Sequence, residues 1–552
     1  MTAAPPRQTM GSVAEPPTEL LTSLTQEFRL RQSLRLRYAD TETKRRRDPV
    51  LIAVALTASV LAVLACAYFL RQDRILGYHD SFSHLEISRR LLVGRTTGIA
   101  QLGAIWLPLP HVLQAIFAWN TTLYTTGLAG AIVSMTAFVA CTVLIYRIVR
   151  VFSPRRASPA VAAAAVFMLG ANMLYHQSTS MDELPFYAFA LVATYGLVRW
   201  AHTQHPAYLL RAALGSMLAM LCRYEAWFLA GLFTVVVLVI ARRTGHCWRD
   251  TRGLTGTFAV FGVLMSATGW VLYNWAVTGS PVNFLYGPNS SADQMAKRQG
   301  DVEIGSWSKS IHAYGAALIA DHGVVLLALA AAGLVVFLAA ERLSARSLPV
   351  LALAAIIPFY VVTIEGGQEP IGVPPVNPSL LNLRFALVAA LPAAVFVGYL
   401  LARLPRRTVL AASVAVILGL AALAGNAFRL HSLVTVQEAN GDLAAQQAQI
   451  QVADFLQHHT TGPIMLNLVG NERAAYPVLD RVIYEGTKVG QRNIWQQALR
   501  SPESTGAHIV LMRDAGDRGA DDVYTALHDK PAMAGYHEIF HGQGYTIYQL
   551  GG

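Results

Sequence analysis

The chain is poor in charged residues and in cysteine for its length. Asp, Glu, Lys and Arg make up 14% of its 552 residues, whereas a soluble domain carries about 25%. Together with 54% hydrophobic residues, this composition argues against a soluble protein and indicates a chain whose solvent is mostly lipid. The four cysteines, Cys66, Cys141, Cys222 and Cys247, show neither metal-ligand spacing nor an even disulfide pattern, so they leave the redox compartment open.

The excess of positive charge is spread between apolar segments. A net charge of +10 could suit nucleic acid, but the basic residues cluster in alternate connecting segments, as cytoplasmic loops of membrane proteins do. We therefore expect no nucleic-acid partner and interpret the charge as a topology signal. The basic segments contain Lys44–Arg47, Arg147, Arg150, Arg155, Arg156, Arg242, Arg243, Arg249, Arg252, Arg342, Arg346, Arg403, Arg406 and Arg407.

Apolar runs of spanning length recur through most of the chain. A helix needs about 20 apolar residues to cross a bilayer, and about eleven runs approach this length. They are residues 50–70, 127–146, 159–175, 184–200, 207–221, 226–241, 254–277, 321–340, 348–364, 385–402 and 408–427. Because charges at the centre of a span are costly, we predict two helices meeting near Cys222. An odd number of spans places the N-terminus inside and the C-terminus outside.

These signals predict three parts. Residues 1–48 form a cytoplasmic basic segment, residues 49–427 a polytopic α-helical transmembrane module, and residues 428–552 a small extracytoplasmic α/β domain. The α/β prediction depends on four short strand-like runs, 464–468, 481–484, 509–512 and 545–550. This domain has no Gly-rich phosphate loop, metal cluster or nucleophile elbow, so we expect no catalytic group from it.

Three outer loops are long enough to carry function. They are residues 71–126, 278–320 and 365–384. In the first, Trp106 and Trp119 flank an amphipathic stretch that we interpret as a helix lying in the membrane interface, rather than as a plain connecting helix.

Asp80, just after the first span, is the leading candidate for chemistry. Its carboxylate could accept a proton from an acceptor hydroxyl or bind a divalent cation, and burial would raise its pKa. The alternative is a helix N-cap. His79 and His84 could bind phosphate or metal, although a structural role is commoner, and Glu86 also fits the capping-box pattern that begins at Ser83.

Two further groups of ionisable residues lie where helices are predicted to meet. Asp182 and Glu183 precede Pro185 in a short outer turn, where they could contact a polar substrate or simply begin a helix. Charged residues flanked by apolar helix on both sides face a cavity or a partner, which favours function over a simple internal ion pair. This second group comprises Arg223, Tyr224 and Glu225.

Three basic residues are candidates for binding an anion. Arg384 begins a predicted span, where it could grip a lipid phosphate or extend its side chain to the surface. Lys297 and Arg298 lie in a long outer loop that could gate a site.

The order of these motifs resembles the GT-C superfamily of membrane glycosyltransferases, over nearly the whole chain. It is most similar to the bacterial branch of protein mannosyltransferases and the lipid A aminoarabinose transferase. The resemblance rests on Asp80, on the interfacial stretch after it, and on the small outer domain. It also rests on the motifs Thr179-Ser180-Met181-Asp182-Glu183-Leu184-Pro185, Cys222-Arg223-Tyr224-Glu225-Ala226-Trp227 and Asn382-Leu383-Arg384-Phe385.

The resemblance implies an inverting transfer of sugar from a polyprenyl-phosphate donor to a cell-envelope glycan, lipid or protein outside the cytoplasmic membrane. It implies that Asp80 is the base and that Arg223 and Arg384 bind the lipid phosphate. The first outer loop has no Asp-x-Asp or adjacent Asp-Glu pair, so a divalent cation, with Asp80 as its ligand, is left open. The competing classes are a lipid or glycolipid transporter or flippase, whose inverted repeats we do not find, and a non-catalytic envelope-assembly protein.

Overall fold

A computed structural model describes most of the chain. The described residues are 48–297, 301–374, 376–486, 492–514 and 519–551. The predicted basic segment 1–48, except for Asp48, lies outside them, as does Arg298. Of the unit Met1–Ala53, the described part is the start of the first helix, and every contact below lies within Val54–Gly552.

The polytopic helical prediction is confirmed. In the described ranges, nine helices are long and apolar enough to cross a membrane. They are Pro49–Leu70, Leu128–Phe152, Glu183–Thr203, Glu225–Arg243, Trp248–Thr278, Val324–Glu341, Leu348–Glu365, Leu383–Ala402 and Val409–Ala445. The last is interrupted after Arg429, so its first part, Val409–Arg429, is the apolar helix, and Val434–Ala445 follows as a separate helix.

The count of about eleven spans is corrected at two positions. Helix Ser158–Met168 has 11 residues and helix Pro206–Met220 has 15, so each is shorter than the roughly 20 residues of a full crossing. The first is continued after Gly170 by the short helix Ala171–His176. The second ends before Arg223, and the following helix begins at Glu225, so the structure has the break that the charges near Cys222 predict.

The predicted first outer loop, residues 71–126, is largely helical. Its helices are His79–Arg90, Ile99–Leu102 (a 3-10 helix), Pro108–Ala118 and Thr121–Thr125. Helix Pro108–Ala118 begins with two prolines at or near its first turn, where a missing N–H costs nothing. Val112, Ile116 and the adjoining Trp119 are exposed, which forms the apolar face that the interfacial interpretation requires. The loop before residue 321 contains helices Asn283–Tyr286, Ser291–Lys297 and Trp307–His322.

The C-terminal region folds as a mixed five-stranded sheet with short helices. Its strands are β1 (Ile464–Met465), β2 (Val482–Ile483), β3 (Ile509–Arg513), β4 (Tyr536–Gly542) and β5 (Tyr545–Leu550). The order is β2-β1-β3-β5-β4, with β1 parallel to β2 and β3, and β5 antiparallel to β3 and β4. The helices are Val434–Ala445, Gln447–His459, Glu472–Ala475, Arg492–Ala498 and Asp522–Leu527.

Strand β4 is missing from the sequence prediction. It is a partly exposed edge strand whose polar residues hide the alternation of a half-buried strand. The turn that follows it left a signal in the sequence, the glycine at position 544. Gln543 and Gly544 both take positive φ, as a two-residue hairpin turn demands, and glycine is favoured there.

The C-terminal domain packs directly on the first outer loop. One continuous apolar core joins Phe82 and Leu85 of helix His79–Arg90 to Tyr476 and the inner face of the sheet. Tyr124 and Tyr476 each donate a hydroxyl hydrogen bond to the other's backbone carbonyl, at 3.0 and 2.5 Å. The helix that carries Asp80 is therefore held between the membrane module and the soluble domain.

Candidate active site

Arg223 is surrounded by three carboxylates. Its Nη1 donates to Asp182 Oδ1 at 2.7 Å and to Glu183 Oε1 at 3.0 Å. Its Nη2 and Nε both donate to Glu225 Oε1, at 2.6 and 2.8 Å, and Tyr360 donates its hydroxyl to the same oxygen at 2.6 Å. The alternative of an internal Arg223–Glu225 pair is therefore part of the arrangement, but the guanidinium also reaches across to the turn before helix Glu183–Thr203.

Arg384 lies beside this group and contacts Asp80. Its Nη2 donates to Asp80 Oδ2 at 2.5 Å, and its Nε donates to Glu183 Oε1 at 3.2 Å. Its Nη1 is 3.8 Å from Glu438 Oε1. With a side chain only 8% exposed, Arg384 does not extend to the surface as an arginine at a helix end can.

Glu183 joins the two arginines. Because one carboxylate oxygen accepts from Arg223 at 3.0 Å and from Arg384 at 3.2 Å, the two donor nitrogens are within about 6.2 Å of each other, the sum of those distances. The other oxygen of Glu183 is 3.1 Å from His176 Nε2. The ring of Phe385 lies 5.2 Å from the guanidinium carbon of Arg223 and 5.3 Å from that of Arg384, in cation–π range of both.

Local sequence explains how these side chains are aimed. Asp182 is the N-cap residue of helix Glu183–Thr203, but its side chain makes no capping bond and binds Arg223 instead. Asn382 takes a left-handed φ of 55° and starts the 3-10 helix that carries Arg384. Its backbone N–H donates to Glu438 and its side-chain amide to the Pro370 carbonyl, which fixes this turn.

Asp80 is in the first turn of helix His79–Arg90 and does not cap it. The N-cap residue is Tyr78, and the Asp80 carboxylate pairs with Arg384. Burial by itself raises the pKa of Asp80. Arg384 and the neighbouring His79 and His84 lower it by more than burial raises it, so the pKa lies well below its ordinary value. The expectation that burial would raise this pKa is therefore wrong for the protein without substrate.

His84 and Glu86, which were also predicted on helix His79–Arg90, face away from Arg384. His84 Nδ1 is 2.9 Å from His111 Nε2, and the His84 ring packs against Trp106. Glu86 is buried 3.6 Å from Arg90, and burial, followed by the nearby Glu472 and Glu485, outweighs Arg90 and raises its pKa to about 8. Ser83 donates to the His79 carbonyl inside the helix, so the capping-box alternative does not hold.

Tyr224 is outside the charge cluster. The Tyr224 hydroxyl donates to the Ile105 carbonyl at 2.6 Å and accepts from Trp270, in an aromatic patch with Phe284. Lys297 is the last residue of helix Ser291–Lys297.

Several residues of the charge cluster around Arg223 and Arg384 were not predicted as site residues from the sequence. His176, Tyr360, Phe385 and Glu438 each contact a predicted residue directly. Glu438 carried a signal, since it is an acid soon after the last apolar run. Tyr360 and Phe385 look like ordinary residues of apolar helices, and no local pattern separates them from core residues.

The described side chains around Asp80 do not form a set of metal ligands. Across the part of the chain that the structure describes, no group of three or more His, Cys, Asp or Glu side chains is arranged to hold a metal ion. The Asp80 carboxylate pairs with Arg384, so these residues do not fit a metal site.

Comparison with known proteins adds an independent observation. Residues 109–271, which include Asp182, Glu183, Arg223 and Glu225, match the family described as dolichyl-phosphate-mannose-protein mannosyltransferase. A comparison with curated protein sequences finds no match.

Solved structures match over nearly the whole chain. ArnT from Cupriavidus metallidurans bound to undecaprenyl phosphate has a TM-score of 0.52 and 13% identity, covering 91% of this chain and 98% of its own. In the apo state the values are 0.53 and 14%, with 90% and 97% covered. The archaeal oligosaccharyltransferase AglB from Archaeoglobus fulgidus, in complex with an inhibitory peptide and a dolichol-phosphate, has a TM-score of 0.46 and 13% identity over 91% and 74%. At these identities, the ArnT matches show a shared fold.

Proposed function

We propose that this multi-pass membrane protein is a glycosyltransferase of the GT-C type that takes its sugar from a polyprenyl-phosphate donor, which the family match over residues 109–271 and the fold shared with ArnT support. The resemblance predicted from the sequence is confirmed. The acceptor we propose is a glycan, lipid or protein of the cell envelope.

The observation that carries this proposal is the pairing of two buried arginines beside one partly exposed acid. Arg223 and Arg384 meet on Glu183, and Arg384 also binds Asp80, whose side chain is 30% exposed. Guanidinium groups bind phosphate oxygens through short, charge-assisted contacts. A donor phosphate at Arg384 would thus place the anomeric carbon of the sugar near Asp80.

The proposed reaction is a single displacement with inversion. The acceptor oxygen attacks the anomeric carbon, the bond from that carbon to the phosphate oxygen breaks, and its electron pair leaves on the polyprenyl phosphate. The acceptor O–H bond breaks as well, and its proton passes to the Asp80 carboxylate. Atoms and charge balance, because the released lipid phosphate carries the negative charge that Asp80 loses on protonation.

Donor binding is also expected to raise the low pKa of Asp80, which otherwise makes this carboxylate a weak base. Burial raises this pKa, and the pairing with Arg384 is the largest of the contributions that lower it. If the donor phosphate takes over the Arg384 guanidinium, that contribution is shared with a second anion and the pKa of Asp80 rises. The acid would then become a stronger base when the donor is in place.

The test is transfer by the purified full-length protein in liposomes. A panel of labelled polyprenyl-phosphate sugars is supplied with envelope glycan, glycolipid and protein fractions, and label in each fraction is measured. We expect one donor to label one fraction. Asp80→Asn keeps the shape of the side chain and is expected to lower turnover by about 10²–10⁴-fold, the contribution of a positioned general base.

Asp514→Asn is the matched control, since Asp514 is an acid of the soluble domain whose contact is Thr546. Donor flipping without label in any fraction would support the transporter class and overturn the proposed reaction. Turnover of folded Asp80→Asn equal to that of the control would overturn the role of Asp80.

We further propose that the C-terminal domain lies outside the cytoplasmic membrane and the N-terminus inside, as the arginine distribution predicts. Cys247 is exposed, whereas Cys66, Cys141 and Cys222 are buried, so the native chain supplies its own probe. In intact cells, an impermeant thiol reagent should spare Cys247 and label a cysteine introduced at Glu503. The opposite pattern would reverse the topology.

A further inference from the structure

His79 lies between the acid of the membrane module and an acid of the soluble domain. Its Nδ1 is 3.8 Å from Asp80 Oδ1, and its Nε2 is 3.8 Å from Glu472 Oε2. Glu472 is the first residue of the short helix Glu472–Ala475. The three side chains form a carboxylate–imidazole–carboxylate row that crosses from one domain to the other.

The imidazole is held in this place from several sides. The His79 backbone N–H donates to Asp442 Oδ2 at 3.1 Å, and its ring packs 5.0 Å from the ring of Phe82. The apolar core beneath Phe82 joins this helix to the soluble domain. The spacing between the two acids is therefore set by the packing of the two domains.

Glu472 has an oxygen that no described partner uses. Its Oε2 is buried and makes no hydrogen bond, although it is the atom that faces His79 Nε2. Catalytic hydrogen bonds are often long in the absence of substrate and shorten in the complex. Leaving a buried carboxylate oxygen unpaired is costly, which favours the formation of a bond with His79.

This row is also the open side of the site. The side chains of His79 and Asp80 are 44% and 30% exposed, and that of Glu472 is 18% exposed. Glu183 and Arg384, at the closed side, are 1% and 8% exposed. If the donor phosphate takes the arginines, the acceptor approaches between helix His79–Arg90 and the soluble domain.

We propose that His79 receives the acceptor proton from Asp80 and that Glu472 is a positioning residue which holds His79 for this step. The inference rests on the proposed function, in which Asp80 deprotonates the acceptor. It extends the site into the soluble domain, from which the sequence predicted no catalytic group.

The proton balance is simple. Before the step, neutral His79 carries its proton on Nε2, facing Glu472, and presents a lone pair on Nδ1 toward Asp80. After sugar transfer, the O–H bond of protonated Asp80 breaks and an N–H bond forms at Nδ1. The resulting imidazolium lies between two carboxylates, keeps its Nε2 proton toward Glu472, and releases the Nδ1 proton to solvent, which restores the starting tautomer. The oriented imidazole of a Ser-His-Asp triad works by the same logic.

This arrangement makes the reaction depend on the charge of His79. Burial lowers the pKa of His79, but Asp80, Glu472 and Asp442 together raise it above its ordinary value. A cationic His79 cannot accept a proton, so turnover should rise with pH as His79 loses its proton. The other charged or titratable groups near this row include Arg384, which binds Asp80, and Arg473, whose guanidinium lies over Phe82. They also include His84, which lowers the pKa of Asp80, and Glu86, whose pKa Glu472 raises and His79 lowers.

The experiment is the pH profile of transfer by the full-length protein in liposomes. Glu472→Gln should move the acidic limb to lower pH, because removing a carboxylate lowers the pKa of His79, and should reduce the plateau by about 10-fold, a modest share of the 10²–10⁴-fold of a general base. His79→Gln should abolish the limb. Glu472→Asp should keep the limb near its wild-type position.

Glu503→Gln is the matched control, because Glu503 is an exposed glutamate of the same domain outside this row. An acidic limb that stays in place in both Glu472→Gln and His79→Gln, with the wild type active, would overturn the inference and leave the proposed function standing. If Glu472→Gln does not fold, as judged by its thermal unfolding midpoint, His79→Gln and Glu472→Asp decide. No transfer by the wild type would instead count against the proposed function.

Discussion

The two arginines of the site have different surroundings. Arg223 contacts Asp182, Glu183 and Glu225, all buried, at 2.6 to 3.0 Å. Arg384 also contacts buried Glu183, but its shortest contact is with Asp80, which is partly exposed. The closed half of the site therefore has its positive charge compensated by fixed partners, and the open half has a partner that solvent can reach.

This difference suggests a structural role for Arg223 and a ligand-binding role for Arg384. A guanidinium with three buried carboxylates loses them all if it turns toward a ligand, and each would remain as a buried charge. Arg384 can exchange one accessible carboxylate for a phosphate without unpairing a buried group. We therefore expect Arg384 to make the main contact with the donor phosphate, with Arg223 holding Glu183 in place beside it.

The largest expected effect is a loss of stability when the closed half of the site, around Arg223, is changed. Arg223→Gln leaves Asp182, Glu183 and Glu225 without their cation, and breaking a buried pair in this way costs about 3–5 kcal/mol. The free energy of unfolding in detergent should fall by this amount, measured by denaturant titration. Arg242→Gln, at an exposed arginine of the helix Glu225–Arg243 that follows Arg223, is the control. A loss in Arg223→Gln no larger than in the control would remove the distinction between the halves.

The next effect is on donor affinity. Arg384→Lys keeps the charge but loses the planar fork, and a hydrogen bond to a charged group contributes about 1.5–3 kcal/mol, so KM for the donor should rise by about 10- to 100-fold. Arg223→Lys should raise KM for the donor by less than Arg384→Lys does, because its main effect is on the free energy of unfolding. Steady-state kinetics over a range of donor concentrations measures both, and the reverse order would assign the phosphate to Arg223.

A further expected effect concerns pH and the contact between the domains. Glu86, on the helix of Asp80, has a pKa of about 8 in the folded protein because of burial, against about 4.3 when unfolded. Its stabilising contribution is complete below the unfolded value and is lost as pH rises through about 8.

Thermal unfolding midpoints of the wild type should therefore fall between pH 5 and pH 8 by more than those of Glu86→Gln. The same decline in both proteins would show that Glu86 is not protonated in the folded state. Glu503→Gln serves again as the exposed control.

The smallest expected effect is far from the charge row. Asp514→Asn in the soluble domain should leave kcat and KM for the donor unchanged, because its described contact is a hydrogen bond from Thr546. Asp517, the other acid for which we make this prediction, lies outside the described residues. A complete loss of turnover in folded Asp514→Asn would show that the domain acts through more than Glu472.

Local composition was enough to predict a polytopic helical membrane protein and most of its spans. Apolar run length predicts where helices cross, and the cost of Arg223 and Glu225 between apolar segments predicts the break that the structure has. The short helices near residues 158 and 206 were overcounted as full spans, because hydropathy records apolar composition but not where packing and Gly170 end a helix.

Tertiary structure alone decided which ions meet. Asp80 and Arg384 are 304 positions apart, and Arg223 and Asp182 are 41 apart, so no local pattern links them. At Asp80, capping and catalysis were equally compatible with the sequence, and the structure removes the capping alternative because Tyr78 is the N-cap residue and the Asp80 carboxylate pairs with Arg384. Hydrophobic burial depends on each residue and its near neighbours, whereas a buried charge is defined by the partner that folding brings to it.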